Sequence, residues 1–433
     1  MGVVVRERSD SGSRSAVRRR HVIYVEGYDQ RGAEGYYRLF QRECDRARQT
    51  SQISLTLQPL ELDTEDFAHW LIDLRVPDPE RASHVNVATH YDFVRMERFV
   101  RSDLAAPMVP HVLRSLGWII GDLVSGTAFR IFRASWRFGL HLLCFQFLLV
   151  AWLAAAAAVG ITIAHAATRH LGLSGPAAIV LAVLGAVMSF VLIRPLADRW
   201  FVIQITSCWV TLRKFGRGQA IWVDHVVELC AQRLLAVARA NTVDELVLVG
   251  HSTGGAIALA AMARALEFDP DLGRRGVRPV LLTLGSVMPA VALHPSAERL
   301  RDMVSRVAVE PTVTWVDCQS RKDVMCFFNF DPVDGIGVHV GAERCNPLIW
   351  RISFKDMIAP ENYSRFRWNH FRVHYQYIMG GERPAPYDYI LVVGGPMPIA
   401  QWPTHDRAFM AAMMRDEAGR QRPLAAAALG AAQ

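Results

Sequence analysis

The sequence predicts an α/β protein: a mostly parallel sheet flanked by helices, interrupted by an inserted apolar helical hairpin. Three observations lead there. Short β-branched runs alternate with longer helical stretches, the pattern of strands joined by crossover helices. Two long stretches, 138–168 and 170–193, hold no Asp, Glu, Lys or Arg. A glycine-rich segment near residue 250 joins a buried strand directly to a helix.

The elements follow in order. Residues 1–20 are polar and basic and read as a disordered tail; they hold no apolar core of a secretory signal. Gly2 is present, but position 6 is Arg, so the myristoylation pattern fails. His21 to Val25 is a short apolar run ending at Gly27, a buried strand. A loop, Tyr28 to Gly32, leads to a helix near 34–49. Residues 53–60 alternate like a strand, and 91–96 form another. These make the first part of an α/β domain, 21–115.

Residues 116–215 read as the insertion, with the hairpin at 138–193. Each charge-free stretch reaches the roughly 20 residues needed to span a bilayer. The connection, His170 to Pro176, is rich in helix breakers. Arg130, Arg133 and Arg137 precede the hairpin; Arg194, Arg199, Arg213 and Lys214 follow it. The positive-inside rule then places both ends in the cytoplasm, in a bacterial inner membrane. The uncharged run at 200–212 is too short to cross.

The second part of the domain is 216–416. An amphipathic helix at 216–242 precedes a strand at 246–249 and a small-residue helix from Gly255 to Leu266. Strands follow at 279–284, 313–316 and 348–354, with another at 387–393. The tail 417–433 is Ala-rich and reads as loose.

Composition limits the function. Of 433 residues, 51% are hydrophobic and 21% charged, which excludes a mostly disordered chain. Mean hydropathy is +0.15, and the excess is concentrated in the hairpin. The net charge of +7 comes without a basic stripe interleaved with aromatics, so nucleic acid is not an expected partner. The flanking arginines suit anionic lipid better. The seven Cys are odd in number and form no CxxC pair, which fits reduced thiols rather than a disulfide framework or a zinc site.

Leu246 to Gly255 carries the chemistry. It contains Gly250-His251-Ser252-Thr253-Gly254, a G-x-S-x-G pattern entered from a strand and left by a helix. That is the setting of a nucleophile elbow, in which a sharp turn lifts a serine above the sheet. Gly250 and Gly254 relieve the crowding on either side of it. At the helix N-terminus, developing negative charge is favoured. The bland alternative is a glycine-rich loop.

On these residues the sequence resembles the α/β-hydrolase fold, lipase and esterase branch, over roughly 21–100 and 216–395. The resemblance implies a Ser-His-Asp triad in the chain order serine, acid, histidine. Asp323 is the expected acid, with Asp317 and Asp331 as alternatives. His374 is the expected base, with His370 as the alternative; His251 is expected to be structural or a pocket wall, and His405 lies near the end of the chain. The oxyanion donors are expected at the backbone N–H groups of Tyr28 and Thr253. The family commonly has His-Gly before that loop, where this chain has Glu26-Gly27. Asp29 and Arg31 are either a bracing ion pair or ordinary loop charges. The expected activity is ester hydrolysis on a lipid or other apolar substrate, with the bilayer as partner and neither metal nor cofactor. The competing expectation is a membrane-tethered, catalytically inactive binding or scaffold protein of the same fold.

Overall fold

The structure, a computed structural model, describes residues 16–404 apart from 52, 78–83 and 275. The expected tails at 1–15 and 417–433, and His405, lie outside the described residues. The chain begins with β1 (Arg19–Val25), α1 (Gly32–Thr50), β2 (Ser54–Leu57), β3 (Glu61–Leu62), β4 (Phe67–Pro77) and β5 (His84–Val94). A helical stretch follows: α2 (Glu97–Ala105), α3 (Met108–Val124), α4 (Thr127–Ala134), α5 (Trp136–Leu171), α6 (Gly175–Arg199), α7 (Val202–Gly216) and α8 (Ile221–Ala240). Then come β6 (Glu245–His251), α9 (Gly254–Phe268), β7 (Pro279–Leu284), α10 (Met288–Ala292), α11 (Glu298–Val309), β8 (Thr314–Gln319) and β9 (Leu348–Arg351). Four short helices close it: α12 (Phe354–Met357), α13 (Pro360–Phe366), α14 (His370–Tyr375) and α15 (Tyr389–Gly394).

The strands form one mixed sheet in the order β2-β4-β5-β1-β6-β7-β8-β9, with β3 also on β4. From β5 to β9 every pairing is parallel; β2, β3 and β4 run antiparallel. Strand alternation sends side chains into two cores. Ile23, Val25, Leu246 and Leu248 face α8, α9 and α11, while Val22, Tyr24, Val247 and Val249 face α1 and α15. Because β1 and β6 are neighbours in parallel register, the loops leaving them emerge side by side.

Three sequence expectations change. Arg19 and Arg20 belong to β1 rather than to a tail. Arg20 is buried because its guanidinium bonds Glu245 at 2.7 Å and the carbonyls of Gly395 and Met397. The run 387–393 is a helix, not a strand: Asp388 caps it by accepting from the N–H groups of Ile390 and Leu391. Residues 389–393 are all apolar and carry no period, so the Asp388 cap decides. The strand β4, unassigned from sequence, pairs with β5 over eleven positions.

The apolar insertion is an antiparallel pair, α5 and α6, each long and apolar enough to cross a membrane. Small residues permit the close approach: a Cβ on Gly160 would sit 2.4 Å from the carbonyl oxygen of Ala182. Only 22% and 11% of the most apolar windows of α5 and α6 are buried, so most of that surface faces outward. At 36 residues α5 rises about 54 Å, well beyond the roughly 30 Å of hydrocarbon. Its first turns pack on the globular domain, where Phe138 meets Phe327 and both Phe138 and Leu142 join the main core. The 200–212 run becomes most of α7, which lies against the sheet domain through Trp209, Leu212 and Phe215.

Candidate functional site

Ser252 stands between the end of β6 and the start of α9, with φ at +59°. For a residue with a Cβ this left-handed conformation costs on the order of 1–3 kcal/mol and persists only where the surroundings impose it. They do. The Ser252 N–H donates to the Leu284 carbonyl at 2.9 Å, and its own carbonyl accepts from Gly255 and Val287. The glycines leave no alternative. A Cβ on Gly254 would lie 2.3 Å from the carbonyl oxygens of Val25 and Glu26, and one on Gly250 2.4 Å from the carbonyl oxygen of Gly254. A Cβ on Gly27 would touch Ser252 itself, at 3.2 Å from its Cβ. The β1 and β6 loops therefore meet at Ser252.

Ser252 and His374 line one cavity of about 570 Å³, together with Gly27, Tyr28 and Thr253. His374 lies on α14, whose first turn is capped by Asn369. Its Nδ1–H donates to Asp323 Oδ2 at 2.8 Å. Asp323 is buried, and its other oxygen accepts from the Met325 N–H at 2.8 Å, so the carboxylate is held at both ends. With Nδ1 so engaged, His374 Nε2 carries the free lone pair; it is buried and has no hydrogen-bond partner among the described residues. The His374 carbonyl accepts from His251 Nε2–H at 3.1 Å. Burial, and then the nearby His374, hold His251 neutral by pushing its pKa well below the usual histidine range.

The other candidates go elsewhere. Asp317 is engaged by Thr283 at 2.5 Å and Gln319 at 2.8 Å. Asp331 caps the Val333–Asp334 turn and pairs with Arg344 at 2.8 Å. His370, at the start of α14, lines a neighbouring groove and not the Ser252 cavity.

The loop after β1 is tied down from three sides. The Tyr28 hydroxyl donates to Asp103 at 3.1 Å, and the Tyr28 carbonyl accepts from Gln204 on α7 at 3.0 Å. Asp29 accepts from the hydroxyls of Tyr36 and Tyr375, and its carboxylate stands 3.8 Å from Arg31 Nε. Burial and Asp29 push the Tyr375 phenol up, so it stays a donor. Among the described residues neither the Tyr28 nor the Thr253 N–H makes a backbone hydrogen bond, which leaves both available at the turn. Sequence reasoning missed Asp103, Gln204 and Tyr375, which carry no motif spacing. The one faint signal is Gln204, the lone amide in an uncharged run.

Glu26 stands where the resemblance implied a histidine. It is fully buried and both carboxyl oxygens lack hydrogen-bond partners. Burial first, then Asp29 and Glu97, push its pKa well above the usual carboxylate range, which favours the protonated acid.

One cluster has metal-ligand composition among the described residues: His21, His90 and Asp92. Asp92 there is already shared by His21 at 2.7 Å, His90 at 2.9 Å and Arg233 at 2.6 Å. It sits on β1 and β5 within the sheet, not in the Ser252 cavity.

No protein family, no curated protein and no solved structure matches this chain.

Proposed function

We propose that the chain is a membrane-anchored serine hydrolase of the α/β-hydrolase type that cleaves carboxylic esters of a lipid or other apolar substrate. The observation that carries this is Ser252, held at φ +59° in a strand-to-helix turn, sharing a cavity with a histidine oriented by a buried aspartate. In the proposed reaction Ser252 Oγ attacks the ester carbonyl and its proton passes to His374 Nε2. The N–H groups of Tyr28 and Thr253 stabilise the oxyanion. Collapse breaks the C–O bond, and the leaving alcohol takes the proton back. Water, deprotonated by His374, then releases the acid and restores Ser252. Asp323 keeps His374 in the tautomer with Nε2 unprotonated.

The helices α5 and α6 supply the anchor, and the flanking arginines favour a cytoplasmic catalytic domain. The gap in hydrogen bonding at His374 Nε2 favours a second reading, a binding or scaffold protein that retains the fold without turnover. A fluorophosphonate probe separates them. Labelling lost on Ser252→Ala supports the hydrolase; a folded, unlabelled wild-type protein supports the scaffold.

A further inference from the structure

Beside the Ser252 cavity lies a larger groove of about 1590 Å³. Asn369 and Phe371 line both, so the two spaces adjoin. The groove is walled on one side by the first three turns of α5, from Trp136 to Phe145. Cations converge on it from separate parts of the chain: Arg137 from α5, Arg321 and Lys322 from the loop after β8, and Arg351 from β9. Lys355, Arg365 and Arg367 come from α12 and the end of α13. Among the described residues no carboxylate lines the groove. Where these cations have protein hydrogen-bond partners, the partners are neutral: Arg137 donates to the Arg321 carbonyl, and Arg351 to the Asn329 side chain. Lys322 and Arg367 both lie over the exposed ring of Trp368, at 5.9 and 5.2 Å. Burial, followed by Arg367 and Arg137, lowers the Lys322 pKa, as crowding of like charge requires.

Seven unneutralised cations around a partly apolar floor form a site for an anion with a greasy body. The position fixes the source. The groove opens at the domain end of the helix we take to enter the bilayer, and exposed Trp136 and Trp368 flank it, as aromatic residues do at headgroup level. The absence of a lining carboxylate disfavours a zwitterionic headgroup, whose ammonium would have no partner. We propose that this groove seats the phosphate of an anionic bilayer lipid; on the hydrolase reading, that lipid class presents its ester to Ser252 next door.

The test uses the full chain carrying Ser252→Ala, in neutral detergent, so that bound lipid is not consumed. Tryptophan quenching is titrated with brominated phosphatidylglycerol and with brominated phosphatidylcholine. Half-saturation is expected at least about tenfold lower for phosphatidylglycerol. Arg365→Glu/Arg367→Glu, at two exposed positions, should erase that preference, while Arg278→Glu, exposed and outside the groove, should keep it. Equal titrations, or a preference surviving the double reversal, overturn the proposal. Displacement by excess inorganic phosphate points to a free-phosphate site and overturns the lipid assignment. Binding is read without turnover, so the two readings fail separately. Preference without any Ser252-dependent hydrolysis sinks only the hydrolase. Hydrolysis of a neutral ester without preference sinks only the groove.

Discussion

The Nδ1–H of His374 donates to Asp323 Oδ2 at 2.8 Å, joining a helix to a loop 51 positions away. Both side chains are buried, so the pair sets the ring's orientation and its tautomer. If this histidine is the base, Asp323→Asn should lower kcat for a p-nitrophenyl ester by roughly 10⁴-fold, because an amide can reverse the tautomer. Asp331→Asn, which breaks a contact to Arg344 outside the cavity, should stay within about threefold of wild type. Comparable losses in the two variants would refute the assignment of the acid.

Ser252→Ala should remove ester hydrolysis by several orders of magnitude while leaving the thermal midpoint unchanged or slightly raised. Nucleophile and base act as a unit, so losing one forfeits most of the acceleration. The alanine keeps the strained φ, and no side-chain hydrogen bond of Ser252 is present to be lost among the described residues. Turnover surviving in a preparation free of contaminating hydrolase would rule out Ser252.

Gly254→Ala tests the elbow rather than the chemistry. The new Cβ would lie 2.3 Å from two backbone carbonyl oxygens of the β1 loop, and backbone cannot swing aside. A destabilisation of at least about 2 kcal/mol is expected in denaturant unfolding. Gly337→Ala serves as a comparison: it has open space around it but φ at +82°, so only the smaller backbone strain applies.

Glu26 makes a prediction with a definite sign. Its folded pKa is raised above the unfolded value near 4.3, so the native state holds a proton that the unfolded state releases. Its contribution is fully present below about pH 4 and is lost as pH rises toward the folded pKa. Glu26→Gln removes that loss. The thermal midpoint of the variant relative to wild type should therefore be higher at pH 8 than at pH 5. An unchanged difference across that range would show that Glu26 is ionised in the folded protein.

Carbonate extraction should leave the full-length protein in the membrane fraction. Ser174→Cys, at the tip between α5 and α6, should add labelling by an impermeant maleimide only from the face opposite the catalytic domain. Release into the soluble fraction would mean that α5 and α6 pack as a soluble lid. Labelling from the domain side alone would show that the pair does not cross.

Much of this was legible in the chain. The β-branched runs gave the central parallel strands, and the charge-free stretches gave the two apolar helices. The turn from Gly250 to Gly254 was readable because each glycine answers a local steric demand that any fold with this turn would make. The run 387–393 was not readable, since residues 389–393 are all apolar and have no period, and the capping by Asp388 depends on its neighbours. The strand β4 shows clear alternation of burial, and the same alternation stands in the sequence, with Trp70, Ile72, Leu74 and Val76 inward and Asp73 and Arg75 outward.

Sequence by itself determined the types of the central strands, the elbow and the two apolar helices, because periodicity, glycine placement and charge depletion are local properties. Tertiary structure alone decided which of Asp317, Asp323 and Asp331 meets His374. Asp317 lies within β8 and the other two in the turns that follow it, and packing aims them differently: at Thr283, at His374 and at Arg344. It also decided that Gln204 and Asp103 hold the Tyr28 loop, and that seven cations from separate segments of the chain share one groove. Such convergence leaves no trace in spacing, since the contacts form between residues brought together only when the sheet orders its loops and α5 closes against them.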